Sequence, residues 1–249
     1  VNVVREARAR GMVVETNWDW HKDEVRKVAR MLGLDEEIAS RQPFPGPGLG
    51  VRILCNDSTV AITTEQREKL ADFLAAYEGG KYVGKIAPIR SVGVQGDNRS
   101  YKSLVVLGGG LPTDWDALFE VARAIPNNLS FINRVAYRVD SKEPVTTLTC
   151  TPMHICHETA EVLREADAIV TGTVMNKKIA QCFAVLLPVS TDETSARPYS
   201  IVIRAVVTSD YMTARAAVPG VHFPVEALES AAKQIKQKLG DKVDMVLYD

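Results

Sequence analysis

The sequence predicts an α+β protein: two tandem β-β-α-β units, their strands forming sheets with helices packed on one face. Three internal matches in the same order carry that reading. Arg99-Ser-Tyr101 followed by KSLVVL parallels Arg197-Pro-Tyr199 followed by SIVIRA. ALFEVARAI, residues 117–125, parallels ALESAAKQI, residues 227–235. INRVAY, residues 132–137, parallels VDMVLY, residues 243–248. Each time strands come first, then a helix, then a strand.

The elements follow along the chain. Residues 22–33 place Val25, Val28, Ala29, Met31 and Leu32 at helical spacing, with Gly33 as a C-cap. LDEEIAS adds a short helical turn before Arg41. RQPFPGPGLGVR, residues 41–52, then sets Pro43, Pro45 and Pro47 among Gly46, Gly48 and Gly50. Proline fixes φ and removes a donor, glycine frees φ, and neither a helix nor a central strand tolerates the mixture. The stretch is therefore a shaped loop, read either as an interdomain linker or as a preorganised wall. GVRILC reads as a strand, and residues 64–77 as an amphipathic helix that stops at Gly79-Gly80. Residues 85–107 read as two strands joined by a Gly-Asp-Asn turn. Ahead of HICHETAEVLREA, Thr151 and Pro152 suit an N-cap and a first-turn proline.

Composition sets limits. A net charge of −1 supplies no broad phosphate-neutralising surface, which argues against a polyanion binder. An RNA-recognition sheet would need surface aromatics and a basic face, and 6% aromatic residues support neither, so no nucleic acid is expected. No apolar run approaches the ~20 residues that span a bilayer, and no membrane partner is expected. The N-terminus has no signal-peptide core, and the expected location is cytoplasmic. Because residue 1 is Val and not Met, the chain is expected to begin inside a longer protein. Cys55, Cys150, Cys156 and Cys182 read as reduced, buried thiols. CTPMHICH groups Cys150, His154, Cys156 and His157, but the spacing fits no common zinc pattern and no second ligand pair follows. They are read as helix-start residues, and no metal is assigned.

KDEVRKVARMLGLDEEIASRQPFPGPGLGVRIL, RSVGVQGDNRSY and VVTSDYMTA together resemble the GMP synthetases, at the passage from the ATP pyrophosphatase domain into the C-terminal dimerisation domain. The second stretch is similar to that domain's Val-Gly-Val-x-Gly-Asp-x-Arg motif and the third to its Thr-Ser-Asp-Phe-Met-Thr stretch. The likeness covers nearly the whole chain in order. The long separation of the last two motifs resembles the extended, eukaryotic-like branch, in which the dimerisation domain is internally doubled. The implied domains are residues 1–40, a remnant of the ATP pyrophosphatase domain, and 41–249, a doubled dimerisation and XMP-binding domain with subunits about 41–150 and 151–249.

The resemblance implies a ligase. ATP adenylates O2 of XMP (xanthosine monophosphate), releasing pyrophosphate, and ammonia from a glutaminase domain then attacks to give GMP. It assigns no catalytic residue to this chain. Asp97 and Gln181 match family positions that contact XMP, Arg99 is a candidate for its phosphate, and Pro45, Gly46 and Pro47 become a wall of that site. From local sequence alone Asp97 reads as a hairpin-turn residue; only the resemblance makes it a ligand contact. The implied partners are XMP, the ATP pyrophosphatase and glutaminase domains of the same protein and a second copy of the chain. Doubling lets the two units pair within one chain, which favours a monomer or weak dimer.

Departures limit the reading. Gln42 stands where the family has His. The Ser-Gly-Gly-x-Asp-Ser loop that grips pyrophosphate and a Cys-His-Glu glutaminase set do not occur. The Lys-Pro-Pro…Glu tail that closes over XMP would lie beyond Asp249. ATP and Mg are thus expected in the full enzyme but not on this chain alone, which is expected to be inactive by itself. The alternative is a non-catalytic dimerisation or scaffold module.

Overall fold

The computed structural model describes residues 2–40, 48–77, 81–95, 98–109, 112, 114–194, 196–208 and 214–249. The chain divides into two units, Val1–Pro43 and Phe44–Asp249.

The first unit holds three helices: α1 (Asn2–Ala9), α2 (Lys22–Met31) and α3 (Glu36–Ala39). The Glu24 carboxylate accepts the His21 N–H at 2.9 Å and caps α2. Gly33 ends that helix with φ 77°, a backbone state closed to most side chains. Arg30 clasps Glu36 bidentately at 2.8 and 2.7 Å. Among its described residues only Ala39 is buried, while Val14, Trp18, Met31 and Leu32 are exposed.

The second unit runs α4 (Thr64–Ala76), β1 (Val83–Ile86), β2 (Ser91–Gln95), β3 (Asn98–Gly108), α5 (Trp115–Asn128), β4 (Ile132–Arg138) and β5 (Thr149–Cys150). It continues through α6 (His157–Val174), β6 (Gln181–Leu187), β7 (Val189–Ser190), β8 (Tyr199–Val207), β9 (Arg215–Ala216), α7 (Val225–Leu239) and β10 (Val243–Tyr248). Thr63 and Gln66 cap α4 reciprocally, at 3.2 and 3.0 Å. Asp114 accepts the Ala117 N–H at 3.0 Å and starts α5.

The main sheet is ordered β1-β3-β4-β10-β8-β6. β3 runs parallel to β4, and β8 parallel to β10, each pair joined by its own helix, α5 or α7. At the centre β4 and β10 are antiparallel and pair at two positions, Arg138 with Leu247 and Tyr137 with Tyr248. β1 and β6 flank the halves antiparallel. Alternation along the strands divides the core. Val105, Leu107, Ile201, Ile203, Val246 and Tyr248 meet Val121, Ile125, Leu163 and Leu228 from the helices. Leu104, Val106, Ala136, Val202, Met245 and Leu247 pack on the opposite face against Val145, Leu187 and Val189. The helices thus cover one face, as the patterning predicts.

Both halves carry the same irregularity. Ser103 pairs with Ile132 and Leu104 with Arg134, which skips Asn133. Tyr199 pairs with Val243 and Ser200 with Met245, which skips Asp244. Each skipped residue turns its side chain to a serine of a neighbouring strand: Ser91 Oγ donates to Asn133 Oδ1 at 2.7 Å, and Ser190 Oγ to Asp244 Oδ2 at 3.1 Å. Tyr199 therefore takes the place of Ser103, not of Tyr101 as the Arg-x-Tyr match implies. A slip of two residues keeps every side chain on its own face, so the sequence pattern cannot detect it.

Three further expectations change. GVRILC is not a strand: Leu49–Arg52 forms a short 3-10 turn, and Ile53 and Leu54 meet the backbone of the β6 edge at Leu186. The first strand of 85–107 is broken into β1 and β2 around Pro88, whose ring cannot donate to a ladder. The helix after Thr151-Pro152 begins only at His157, with Cys156 as N-cap and Thr159 as its partner at 3.0 Å. Met153 is instead buried and pairs with Asn56 across an isolated bridge.

Candidate functional site

Strand directions bring the starts of β3, β4 and β6 and the ends of β8 and β10 to one end of the sheet. Two arginines meet there on one carboxylate. Arg134 of β4 donates through Nη1 to Asp249 Oδ2 at 2.5 Å, and Arg204 of β8 through Nε and Nη2 at 2.9 and 2.6 Å. Arg134 Nη2 also donates to the Val92 carbonyl of β2 at 2.8 Å. Burial pushes the Asp249 carboxyl above the usual carboxylate range, while the charge and hydrogen bond of Arg204 oppose that rise.

Three depressions share this bridge: one of about 250 Å³, lined by Arg52, Val92, Arg134, Phe183, Arg204 and Asp249 among others, and two more. The second, of about 370 Å³, is lined by Gln181, Phe183, Arg204, Val206, Arg215 and Asp249. The third, of about 1040 Å³, includes Gly93, Asn133, Arg134, Val207, Arg215 and Asp249 in its lining. Gly93 is required where it stands, because a Cβ there would sit 2.8 Å from that of Asn133. The Asn133 amide meanwhile donates to the Ser91 and Ser100 carbonyls at 2.8 and 3.1 Å, fastening the hairpin to β4.

Gln181 is the first residue of β6, half-buried beside Arg204 and Asp249. Arg99 is exposed on β3, opposite Val94, and is not among the described lining residues of these depressions. Asp97, Pro45, Gly46, Pro47 and Gln42 lie outside the described residues. Gln181 and the hairpin whose connection contains Asp97 thus share one end of the sheet. Sequence reasoning missed Arg134, Arg204, Arg215 and Asp249. The available signal was an arginine inside a largely apolar strand, twice: INRVAY and SIVIRA.

The CTPMHICH residues are dispersed. Cys150 is half-buried in β5 and accepts Asn56 Nδ2 at 3.1 Å, whereas His154 is exposed, 3.6 Å from Asp57. Among the described residues no group of three or more His, Cys, Asp or Glu is placed to hold a metal ion. Cys55 and Cys156 are exposed and only Cys182 is buried, so the expectation of four buried thiols is wrong. Cys55 follows a turn along the sheet edge and not a central strand, and Cys156 caps a helix end; neither position faces the core. Among the described residues no helix is long and apolar enough to cross a membrane.

Residues 169–249 match the model of the GMP synthase C terminal domain. A probable GMP synthase (glutamine-hydrolyzing) of Caenorhabditis elegans is 32% identical over 94% of this chain, and the GMP synthase (glutamine-hydrolyzing) of Dictyostelium discoideum 31% over 99%. The chain belongs to the GMP synthase C-terminal family. A probable GMP synthase of Leptospira interrogans is 38% identical over 86% of the chain. The chain spans 40% of the length of each of the first two relatives and 35% of the third. Within this GMP synthase C-terminal region, the matched stretch carries β6 to β10, and with them Gln181, Arg204 and Asp249. Arg134 and the β2–β3 hairpin come from the half that precedes it.

Proposed function

We propose that this chain is the C-terminal part of a GMP synthase, the ligase that converts XMP to GMP with ATP and glutamine-derived ammonia, and that it supplies part of the XMP site together with the dimerisation domain. The observation that carries the reading is the convergence of Gln181 and the hairpin that includes Asp97 and Arg99 at one arginine-rich end of the sheet. Gln181 offers the base an amide donor and a carbonyl acceptor, and Asp97 accepts from nucleotide hydroxyls or ring N–H groups. Arg99 faces the phosphate, and Pro45, Gly46 and Pro47 form a wall that excludes water from the reactive adenylate.

The chain's own residues do not fit ATP and Mg. The pyrophosphate-gripping loop does not occur in the sequence, and the described residues offer no acidic cluster for a metal. ATP and the glutaminase belong to other domains of the same protein. Residues 1–40 are the end of the ATP pyrophosphatase domain, a reading supported by Trp18, Met31 and Leu32, which remain exposed as apolar surface made for a larger fold. β4 and β10 join the two halves of residues 41–249 inside one chain, which favours a monomer or weak dimer over an obligate pair. Cysteines without disulfides suit the cytoplasm.

The test is Asp97→Ala and Gln181→Ala in the active enzyme. A lost hydrogen bond costs about 0.5–1.5 kcal/mol, and more where a buried partner is stranded. Each variant should weaken apparent XMP affinity roughly threefold to hundredfold, at ~1.4 kcal/mol per factor of ten. ATP binding should stay unchanged. Variants that melt early yet bind XMP normally would overturn the assignment and return Asp97 to a turn residue.

A further inference from the structure

We propose that Arg134 is a positioning residue, which holds the two flanks of the XMP site at a fixed separation through Asp249 and Arg204. This rests on the reading above, that XMP lies between the hairpin and Gln181. Four observations support it.

The two halves are joined where β4 and β10 pair, Arg138 with Leu247 and Tyr137 with Tyr248, and Val139 N donates to the Val246 carbonyl at 2.9 Å. At the end of β4 that faces the site, the guanidinium bridge links the halves. It runs without a gap: Val92 of the hairpin accepts from Arg134, Arg134 and Arg204 share Asp249, and Arg204 stands opposite Phe183 in the ladder that begins at Gln181.

The bridge also touches both flanks directly. Arg134 lines the depression on the hairpin side, Arg204 the one beside Gln181, and Asp249 lines both. A shift of the bridge therefore moves both walls together.

Nor is it a by-product of the repeat. Overlaying the halves by their pairings puts Met245 in the place of Arg134, Gly108 in the place of Arg204 and Arg138 in the place of Asp249. The opposite end of the sheet is held by a different set, in which Asp140 accepts from Arg138 Nε and from the Val246 N–H, both at 3.1 Å, with Lys236 3.9 Å away. Geometry finally demands arginine: Nη1 and Nη2 point to different acceptors, which a lysine's single nitrogen on a flexible stem does not hold together.

Arg134→Lys tests this, with Asp249→Asn as a second variant of nearly unchanged volume. In the 249-residue chain without ligand, amide hydrogen exchange should quicken at Val92 and Gly93 of the hairpin and also at Arg204–Val206 of β8. In the active enzyme the KM for XMP should rise about tenfold, while that for ATP does not move. Quickening confined to the hairpin would show a local fastening and refute the bridge. So would an unchanged KM for XMP in both variants, if Asp97→Ala and Gln181→Ala raise it. If none of the four variants changes the KM for XMP, the reading of the site fails. The exchange pattern then still decides whether the bridge couples the flanks.

Discussion

Arg52→Met is the most direct test of how the edge of the sheet is held. Arg52 is 7% exposed. Its Nη1 donates to Asp167 of α6 and, at 3.5 Å, to the Ala184 carbonyl of β6, and its guanidinium carbon lies 5.8 Å from the Phe183 ring centroid. Methionine keeps the apolar stem and removes the charge, which leaves Asp167 without its cation. Breaking a fully buried pair typically costs about 3–5 kcal/mol. Here the loss should be smaller. Asp167 is 24% exposed and retains the Ala184 N–H at 2.9 Å, and Arg52 Nε is buried without a hydrogen-bond partner among the described residues, so its removal relieves a desolvated donor. The expected loss is about 2–3 kcal/mol, or roughly 4–12 °C in Tm at ~2–4 °C per kcal/mol. Urea unfolding of Arg52→Met, Asp167→Leu and the double variant would measure it, the double being less destabilised than the sum. A loss under about 0.5 kcal/mol, or strict additivity, would show that the pair is not what fastens the turn to the sheet.

Asp244→Asn should cost about 1–3 kcal/mol at neutral pH, because Asp244 accepts from Thr191 N, Thr191 Oγ1 and Ser190 Oγ at 2.7, 2.6 and 3.1 Å. Burial pushes this carboxyl up, but those hydrogen bonds and the Arg197 charge outweigh it and hold it below the usual range. A depressed folded pKa gives stability that is present above the unfolded value, near 3.9, and is lost as pH falls through the folded one. The wild-type advantage should therefore shrink below about pH 4; a pH-independent difference in urea midpoints would contradict this. Among the thiols, hydrogen bonding by the Thr159 side chain and backbone lowers exposed Cys156, whereas burial and the Asp167 charge push Cys182 up to about 12. Iodoacetamide at neutral pH should modify Cys156 early and Cys182 only on unfolding, as read by peptide mass mapping, and early labelling of Cys182 would refute the packing around β6.

What the sequence determined by itself is periodic and local. The apolar spacing of residues 64–77 and 227–235 fixes two helices and the faces they bury, because a 3.6-residue period admits one buried stripe. Gly33 stops α2, and the repeat of strand, helix and strand specifies two similar halves. The resemblance singled out RSVGVQGDNRSY and Gln181, and the hairpin and the strand start that carry them share one end of the sheet. Three things only the tertiary structure decided. Strand register came from the bulges at Asn133 and Asp244, since a slip of two residues preserves the alternating pattern. The start of α6 moved to His157 because Met153 is drawn into the core, a long-range contact that overrides the local signal of Thr151-Pro152. The charged residues that hold the molecule found partners far along the chain: Arg52 with Asp167 and Arg134 with Asp249 are each 115 residues apart. Burying a guanidinium demands a carboxylate, but nothing local states which one, because the partner is chosen by where the folded strands end.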